Sequence, residues 1–217
     1  MILRDLFPQL TGPEGETAVT GLTADSRQIA PGFVFAAMQG VVTDGRKFIG
    51  AAIETGAVAV MGEALPKIEG AVAIEVSNAR LALAEASARF YPEQPAELVA
   101  VTGTNGKSST VDFLRQIWES AGLKAASLGT LGAIGPSGKI DLGHTTPDPV
   151  AIHATLQKLV RAKIKGMHGH SGAAIFIDIY RTIHALFGAL PVFVLSFHVV
   201  INSLLSFQYS STLPFQK

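Results

Sequence analysis

The run Gly103-Thr104-Asn105-Gly106-Lys107-Ser108-Ser109-Thr110 gathers the residue types that hold a phosphate. Glycines let successive backbone N–H groups turn toward an anion. A lysine after the second glycine can reach β- and γ-phosphates, and the Ser108 hydroxyl can bind Mg²⁺. The longer phosphate-loop pattern asks for a further glycine at position 101, where this chain has Val101. The match is therefore to the shorter G-x-x-G-K-S form. The plain alternative is a glycine turn with an exposed lysine, which leaves Asn105-Gly106-Lys107-Ser108 at a helix start unexplained. A second polar cluster, Thr145-Thr146-Pro147-Asp148-Pro149, reads on its own as a helix-start turn capped by Asp148 or Thr146. His168 and His170 flank Gly169 without a nearby carboxylate, a poor ligand set for a metal. With no cysteine, disulfides, thiolate metal sites and a cysteine nucleophile are excluded.

The phosphate loop needs a strand before it and a helix after it, and both are legible. Leu98-Val99-Ala100-Val101-Thr102 is a nearly continuous apolar run suited to a buried parallel strand. Val111, Leu114, Trp118 and Ala121 recur at helical spacing, with Phe113 and Ile117 beside them, and Gly122 is the stop. Ala125–Leu128 is the next strand, which predicts a βαβ unit, and a helix is expected from Val150 to about Leu159. Before the loop, strands are predicted at 33–38, 57–61 and 71–76. A helix is expected over 47–54, and another over 79–91 with Asn78 as its N-cap and Leu81, Ala84, Ala88 and Tyr91 as its apolar stripe, widened by Leu83 and Phe90. Strands alternating with short helices define the α/β class. Pro92-Glu93-Gln94-Pro95 stops a helix and separates two periodic regions, so a domain boundary is expected there.

Composition adds a second break. The 217 residues carry 17 acidic and 17 basic side chains, with 48% apolar and 16% charged residues. That supports a core and excludes a disordered chain. Zero net charge argues against a basic nucleic-acid footprint. The N-terminus lacks the apolar stretch of a signal peptide. Residues 163–217, however, hold only one acid, Asp178, and four bases, yet eight of the sixteen aromatics and four of the six histidines.

The run Ala100–Thr110, AVTGTNGKSST, resembles the ATP-binding loop of the Mur ligases. Ala24-Asp25-Ser26-Arg27, Pro31-Gly32-Phe33-Val34-Phe35-Ala36-Ala37, Asp44-Gly45-Arg46 and Gly56-Ala57 resemble the uridine-binding N-terminal domain of two of these ligases. Ser127-Leu128-Gly129-Thr130-Leu131-Gly132 and Thr145–Pro149 are similar to the branch that adds the third peptide residue. The resemblance covers about residues 20–162. It implies an α/β chain in three parts. These are an N-terminal uridine-nucleotide-binding domain over 1–92, the start of a P-loop-type central ATP-binding domain over 93–162, and an unrelated apolar tail over 163–217. It further implies that Ser26 and Ala24 contact the uridine nucleotide. Gly103, Thr104, Asn105, Gly106, Lys107, Ser108 and Ser109 would hold ATP, Ser108 would bind Mg²⁺, and Thr145 and Thr146 would contact the sugar-peptide. Where the family has another nucleotide contact, this chain has the mostly apolar Val41-Val42-Thr43.

The implied reaction is ATP-dependent ligation in the cytoplasm of meso-diaminopimelate or L-lysine to UDP-N-acetylmuramoyl-L-alanyl-D-glutamate. It proceeds through an acyl phosphate, with ATP and Mg²⁺ as cofactors, and no protein or nucleic-acid partner is implied. After Ala162 the family's Mg²⁺-binding glutamate, its Ser-Ser-His and its carbamoylated lysine have no recognisable counterpart, so no catalytic residue is retained and the chain alone is expected to be inactive. The competing expectation is a nucleotide-binding pseudoenzyme. Three accounts of the tail stand open: an out-of-frame continuation, a single C-terminal membrane span over the charge-free stretch 182–207, or a divergent buried segment. The first leads to the expectation that the central sheet is incomplete and the tail poorly packed.

Overall fold

The computed structural model describes residues 1–40, 43–95, 97–103, 106–122, 124–129, 132–135, 138–140, 148–164, 173–178, 192–197 and 208–209. Among these the chain forms two compact units, one of residues 1–92 with 148–153, the other of the remaining residues from Glu93 onward.

The first unit opens with a short helix, α1 (Leu3–Leu6), and is built on strands β1 (Gly21–Thr23), β2 (Phe33–Ala36), β3 (Ala59–Gly62) and β4 (Val72–Glu75). These form one all-parallel sheet in the order β1-β2-β3-β4. Helix α2 (Ile49–Glu54) is preceded by a 3₁₀ turn at Gly45–Phe48, so the helix expected over 47–54 begins as the tighter form. Helix α3 (Ala79–Phe90) starts where expected. Asn78 Oδ1 accepts the Leu81 N–H at 3.0 Å, and the Glu63 carboxylate accepts the Ala79 N–H at 2.8 Å. Its buried face is Ala79, Leu83, Ala84, Ala86 and Ser87, turned from the expected stripe. The reason is that α3 packs on Leu3 and Leu6 of α1 as well as on Leu22, Val34 and Met61 of the sheet. The opposite sheet face, with Phe35 and Val60, is covered by Ile49 and Ala52 of α2. Successive residues of β2 thus serve two cores, as the strand period requires.

The second unit carries a seven-stranded sheet. It comprises β5 (Glu97–Gly103), β6 (Lys124–Gly129), β7 (Gly132–Gly135), β8 (Gly138–Ile140), β9 (Ala173–Asp178), β10 (Val192–Phe197) and β11 (Gln208–Tyr209), ordered β11-β10-β5-β9-β6-β7-β8. The central four, β10, β5, β9 and β6, are mutually parallel. This corrects the expectation of an incomplete sheet, because the tail strands β9, β10 and β11 all lie within it. β9 separates β5 from β6, with Leu98 opposite Ile175 and Ala126 opposite Ile175 on the other side. Val192–Phe197, the middle of the charge-free stretch, is a strand paired along β5 rather than part of a spanning helix. No helix among the described residues is long and apolar enough to cross a membrane.

Helix α4 (Lys107–Ser120) lies on one face of this sheet, where Val111, Leu114 and Trp118 meet Val99, Val101 and Ala125. Gly122 follows it at φ +78°, the left-handed stop its position predicts. Helix α5 (Pro149–Ile164) runs past the expected end at Leu159. Leu159 covers the opposite face: a β-carbon placed on Gly135 would lie 2.9 Å from Leu159 Cδ2 and 3.5 Å from Ala126 Cβ. Ala125 and Ala126, adjacent in β6, therefore face different helices. The Pro92–Pro95 segment is held to α5, since Glu93 pairs with Arg161 at 2.6 Å and the Glu93 N–H donates to Gln157 Oε1.

Candidate functional site

The phosphate-loop residues are positioned by β5 and α4. β5 ends at Gly103, and Gly106 is the N-cap of α4 at φ +78°, a conformation that glycine adopts without the cost a side chain would incur. Thr104 and Asn105 lie outside the described residues. Lys107 and Ser108 open the helix and are half-buried, while Ser109 is exposed. The Thr110 N–H and hydroxyl both donate to the Gly106 carbonyl, at 2.9 and 2.8 Å. The Gly106 N-cap gives α4 no side-chain cap, and among the described residues its first turn holds no acidic residue. A fourteen-residue helix with a glycine N-cap and a lysine at its first position presents partial positive charge to whatever sits before it. The nearest acid along the helix, Asp112, is neutralised by Arg115 at 2.7 Å and is also bonded by Gln116. The Arg115 hydrogen bond holds its carboxyl below the usual range. These residues fit a polyphosphate: a glycine-capped helix start carries Lys107 at its first position, and the local acid Asp112 is already paired with Arg115.

The uridine candidates lie at the carboxyl end of β1. Thr23 is buried, and its hydroxyl accepts the Asp25 N–H at 3.0 Å. Asp25 in turn caps a 3₁₀ turn over Ser26–Gln28 by accepting the Arg27 N–H. Ala24 and Ser26 are thereby fixed, both half-buried, at the edge of the parallel sheet. The same device recurs after β2, where Asp44 accepts the Arg46 N–H and the Arg46 side chain at 2.8–3.1 Å. Arg46 draws the Asp44 carboxyl below its ordinary value. Val41 and Val42 lie outside the described residues, as do Thr145 and Thr146. Asp148 is described, and its Oδ1 caps α5 by accepting the Ala151 N–H at 2.7 Å.

Two features depend on strand order: a cavity that the residues alone do not reveal, and the place of Asp178, an acid whose plain reading from sequence is a solvated side chain rather than a metal ligand. A polar cavity of about 560 Å³ opens at the carboxyl ends of β2, β3 and β4, lined by Gln39, Gly40, Glu63, Ser77, Asn78 and Arg80. Its residues are far apart in sequence, and only the parallel pairing brings them together. The second is the place of Asp178. It ends β9 in register with Val101 of the loop-bearing strand β5, two residues before Gly103. In P-loop proteins an acid on a neighbouring strand commonly holds Mg²⁺. The order of the strands, which the sequence does not state, is what gives Asp178 that position.

A four-stranded parallel α/β unit and a second α/β unit with a strand–glycine-loop–helix define a two-unit α/β protein of the phosphate-loop type. The chain belongs to the Mur ligase family. Residues 18–100 match the Mur ligase family catalytic domain, and residues 101–167 match the Mur ligase middle domain. The UDP-N-acetylmuramoyl-L-alanyl-D-glutamate--2,6-diaminopimelate ligase of Bradyrhizobium diazoefficiens is 46% identical over 164 residues, 74% of this chain and 34% of that protein. Its namesake in Zymomonas mobilis is 47% identical over 155 residues, 71% of this chain and 32% of that protein. The chain thus spans about a third of the length of these curated relatives. A solved structure of a ligase of the same name superposes with TM-score 0.75 at 19% identity, covering 94% of this chain and 42% of that one. A D-alanyl-D-alanyl-adding ligase from Acinetobacter baumannii superposes with TM-score 0.51 at 18% identity, covering 83% of this chain and 37% of that one. Both share the fold.

Proposed function

We propose that this chain is the nucleotide-binding front portion of the Mur ligase that joins 2,6-diaminopimelate, or L-lysine, to UDP-N-acetylmuramoyl-L-alanyl-D-glutamate in the cytoplasm. Residues 1–92 would be its uridine-nucleotide domain, and the residues from Glu93 the opening of its ATP domain. The observation that carries the reading is the β5–Gly106–α4 arrangement, with Lys107 at the first helical position and no acid in that turn. The relatives bearing this ligase name support the substrate.

The chain's own residues would act by binding and orienting. Gly103 to Ser109 would wrap the triphosphate of ATP with backbone N–H groups, and Lys107 would meet the negative charge on the β- and γ-phosphates. Mg²⁺, when bound, would neutralise charge building on the transferred phosphoryl group; the Ser108 hydroxyl is the group that would hold it. Ala24 and Ser26 would seat the uridine, and Thr145 and Thr146 the sugar-peptide, aligning the D-glutamate carboxylate for phosphorylation. Attack by the incoming amine on the acyl phosphate would then form the amide and release phosphate. Residues that bind that amine are not assigned to this chain, so on its own it would bind nucleotide without ligating.

Equilibrium titration with Mg·ATP tests the loop assignment. Lys107→Ala removes a charge-assisted contact worth about 1.5–3 kcal/mol and should weaken ATP at least tenfold. Unchanged affinity would overturn the phosphate assignment. With ATP, Mg²⁺, the UDP-linked dipeptide and diaminopimelate all present, no tripeptide should form. Turnover at a rate of ~1–10³ s⁻¹, the ordinary enzymatic range, would overturn the reading that this chain only binds.

A further inference from the structure

The cavity at the carboxyl ends of β2, β3 and β4 is lined by one carboxylate, Glu63, and the chain around it fixes that residue from both sides. Glu63 directly follows β3. Before it, the Gly62 carbonyl accepts the Val76 N–H at 3.0 Å, which ties the end of β3 to the end of β4. After it, Ala64 adopts φ +46°, the one positive φ outside glycine among the described residues. A residue with a β-carbon rarely takes that conformation, and such strain gathers where a neighbouring group must be aimed. The Arg46 guanidinium donates to the Ala64 carbonyl at 3.5 Å and supports the turn. One Glu63 oxygen, Oε1, accepts the Ala79 N–H at 2.8 Å. The other, Oε2, is uncommitted among the described residues.

The lining decides what this cavity can take. The exposed Gln39, Ser77 and Arg80 side chains make no hydrogen bond or ion pair among the described residues. Glu63 and Asn78 already accept N–H groups at the start of α3, so the site is one of side chains and not of a helix end. A single carboxylate is too few ligands for a divalent cation. An organic cation is disfavoured by Arg80 on the same wall and by Arg46, which pairs chiefly with Asp44 but also feels the Glu63 charge. A bare anion is disfavoured by Glu63 itself. A neutral hydroxyl donor suits the carboxylate. In parallel α/β sheets an acid beside the carboxyl ends of the strands accepts a ribose hydroxyl in this way, and a bond to an ionised oxygen is a strong one. Arg80 suits the phosphates that a nucleotide carries next to its ribose.

We propose that Glu63 selects ribose in the first unit: its Oε2 accepts the 2′-hydroxyl of a uridine nucleotide seated in this cavity, and Arg80 meets the diphosphate. The proposal rests on the reading that residues 1–92 bind such a nucleotide. It adds to that reading a preference for ribose over deoxyribose, carried by the end of β3 and not by the end of β1 that holds Ala24 and Ser26.

Calorimetric titration of the full 217-residue chain with UDP and with 2′-deoxy-UDP tests this. The wild type should bind UDP about tenfold tighter than the deoxy ligand, the loss that follows from one charge-assisted hydrogen bond. Glu63→Gln is the informative variant. Its amide oxygen can still accept the Ala79 N–H, so α3 keeps its start, but the second position becomes an uncharged NH₂ and the charge-assisted bond to the hydroxyl is lost. This variant should unfold thermally as the wild type does and bind the two ligands within about twofold of each other. Arg80→Ala should weaken UDP about tenfold and keep the preference for the ribose form; unchanged UDP affinity would overturn the diphosphate contact. Equal wild-type affinity for UDP and 2′-deoxy-UDP, or a preference undiminished in Glu63→Gln, would overturn the role of Glu63 while the uridine-nucleotide reading stood. No binding of UDP by the wild type would overturn both.

Discussion

A buried histidine gives the first unit a pH dependence that can be worked out from one residue. His153, in α5, is 1% exposed, and burial pushes its imidazole down to about 4 from 6.5. Between those values the unfolded chain binds a proton that the folded chain does not, so stability rises with pH across the window. It is complete above about pH 6.5 and is lost as the pH falls toward 4. A shift of this size corresponds to about 3 kcal/mol over the whole window. Urea denaturation at pH 7.5 and pH 5 should show a loss in the wild type that His153→Gln reduces; equal losses in both would sink the assignment. Gly106 makes a second residue-scale case. Its φ of +78° is strained for any residue with a β-carbon, although a β-carbon there would meet no atom within 4 Å. Gly106→Ala should therefore destabilise by conformation alone, by roughly 1 kcal/mol, and distort the start of α4. Thermal denaturation measures the first effect and ATP titration the second. Gly106 and Lys107 were legible from type and spacing, because loop and helix start are local. Glu63 was not, since its role as acceptor for the Ala79 N–H depends on β3 and β4 lying side by side.

Helix starts were the elements most legible from sequence, and the reason is chemical. An N-cap is satisfied within a few residues, so Asn78 before α3 could be read directly, and Asp148 before α5 was one of two candidates. Helix faces were less legible. Of the expected stripe of α3, Leu83 and Ala84 are buried, but Ala79, Ala86 and Ser87 take the place of Leu81 and Ala88, because α3 is gripped by α1 as well as by the sheet. Which side of a helix is buried depends on what lies beside it, and periodicity alone does not report that. Asn78→Ala should cost about 1 kcal/mol, less than a full helix cap elsewhere because Glu63 still holds the Ala79 N–H. Asn78→Ala combined with Glu63→Ala, which removes the acceptor of the Ala79 N–H, should then cost more than the sum of the two alone, since each covers the other's loss. A double-mutant cycle by chemical denaturation measures this; strict additivity would show that the two caps act independently.

At the scale of the whole chain, the charge-poor tail was the part least legible in advance. Its change of composition pointed away from the fold, but Ala173–Ile177 is a continuous apolar run of the kind a buried parallel strand requires. What sequence could not supply was the order β5-β9-β6, a pairing between segments some seventy residues apart. The order has a mechanical consequence. Without β9, β5 and β6 have no shared neighbour, and the backbone groups facing the gap lose their partners, each at a cost of about 1–3 kcal/mol when buried. A chain stopped after Ile164 should therefore lose the protection of the amides in Leu98–Val101 and Ala125–Leu128, which register with Ile175–Asp178 and Ala174–Ile177. The first unit has its own sheet and two cores, so Val34–Ala36 and Ala59–Gly62 should keep theirs. Hydrogen exchange on the two chains distinguishes the cases segment by segment. If β5 and β6 stay protected after the cut, they can pair without β9, and the tail would be an addition to the sheet rather than its middle.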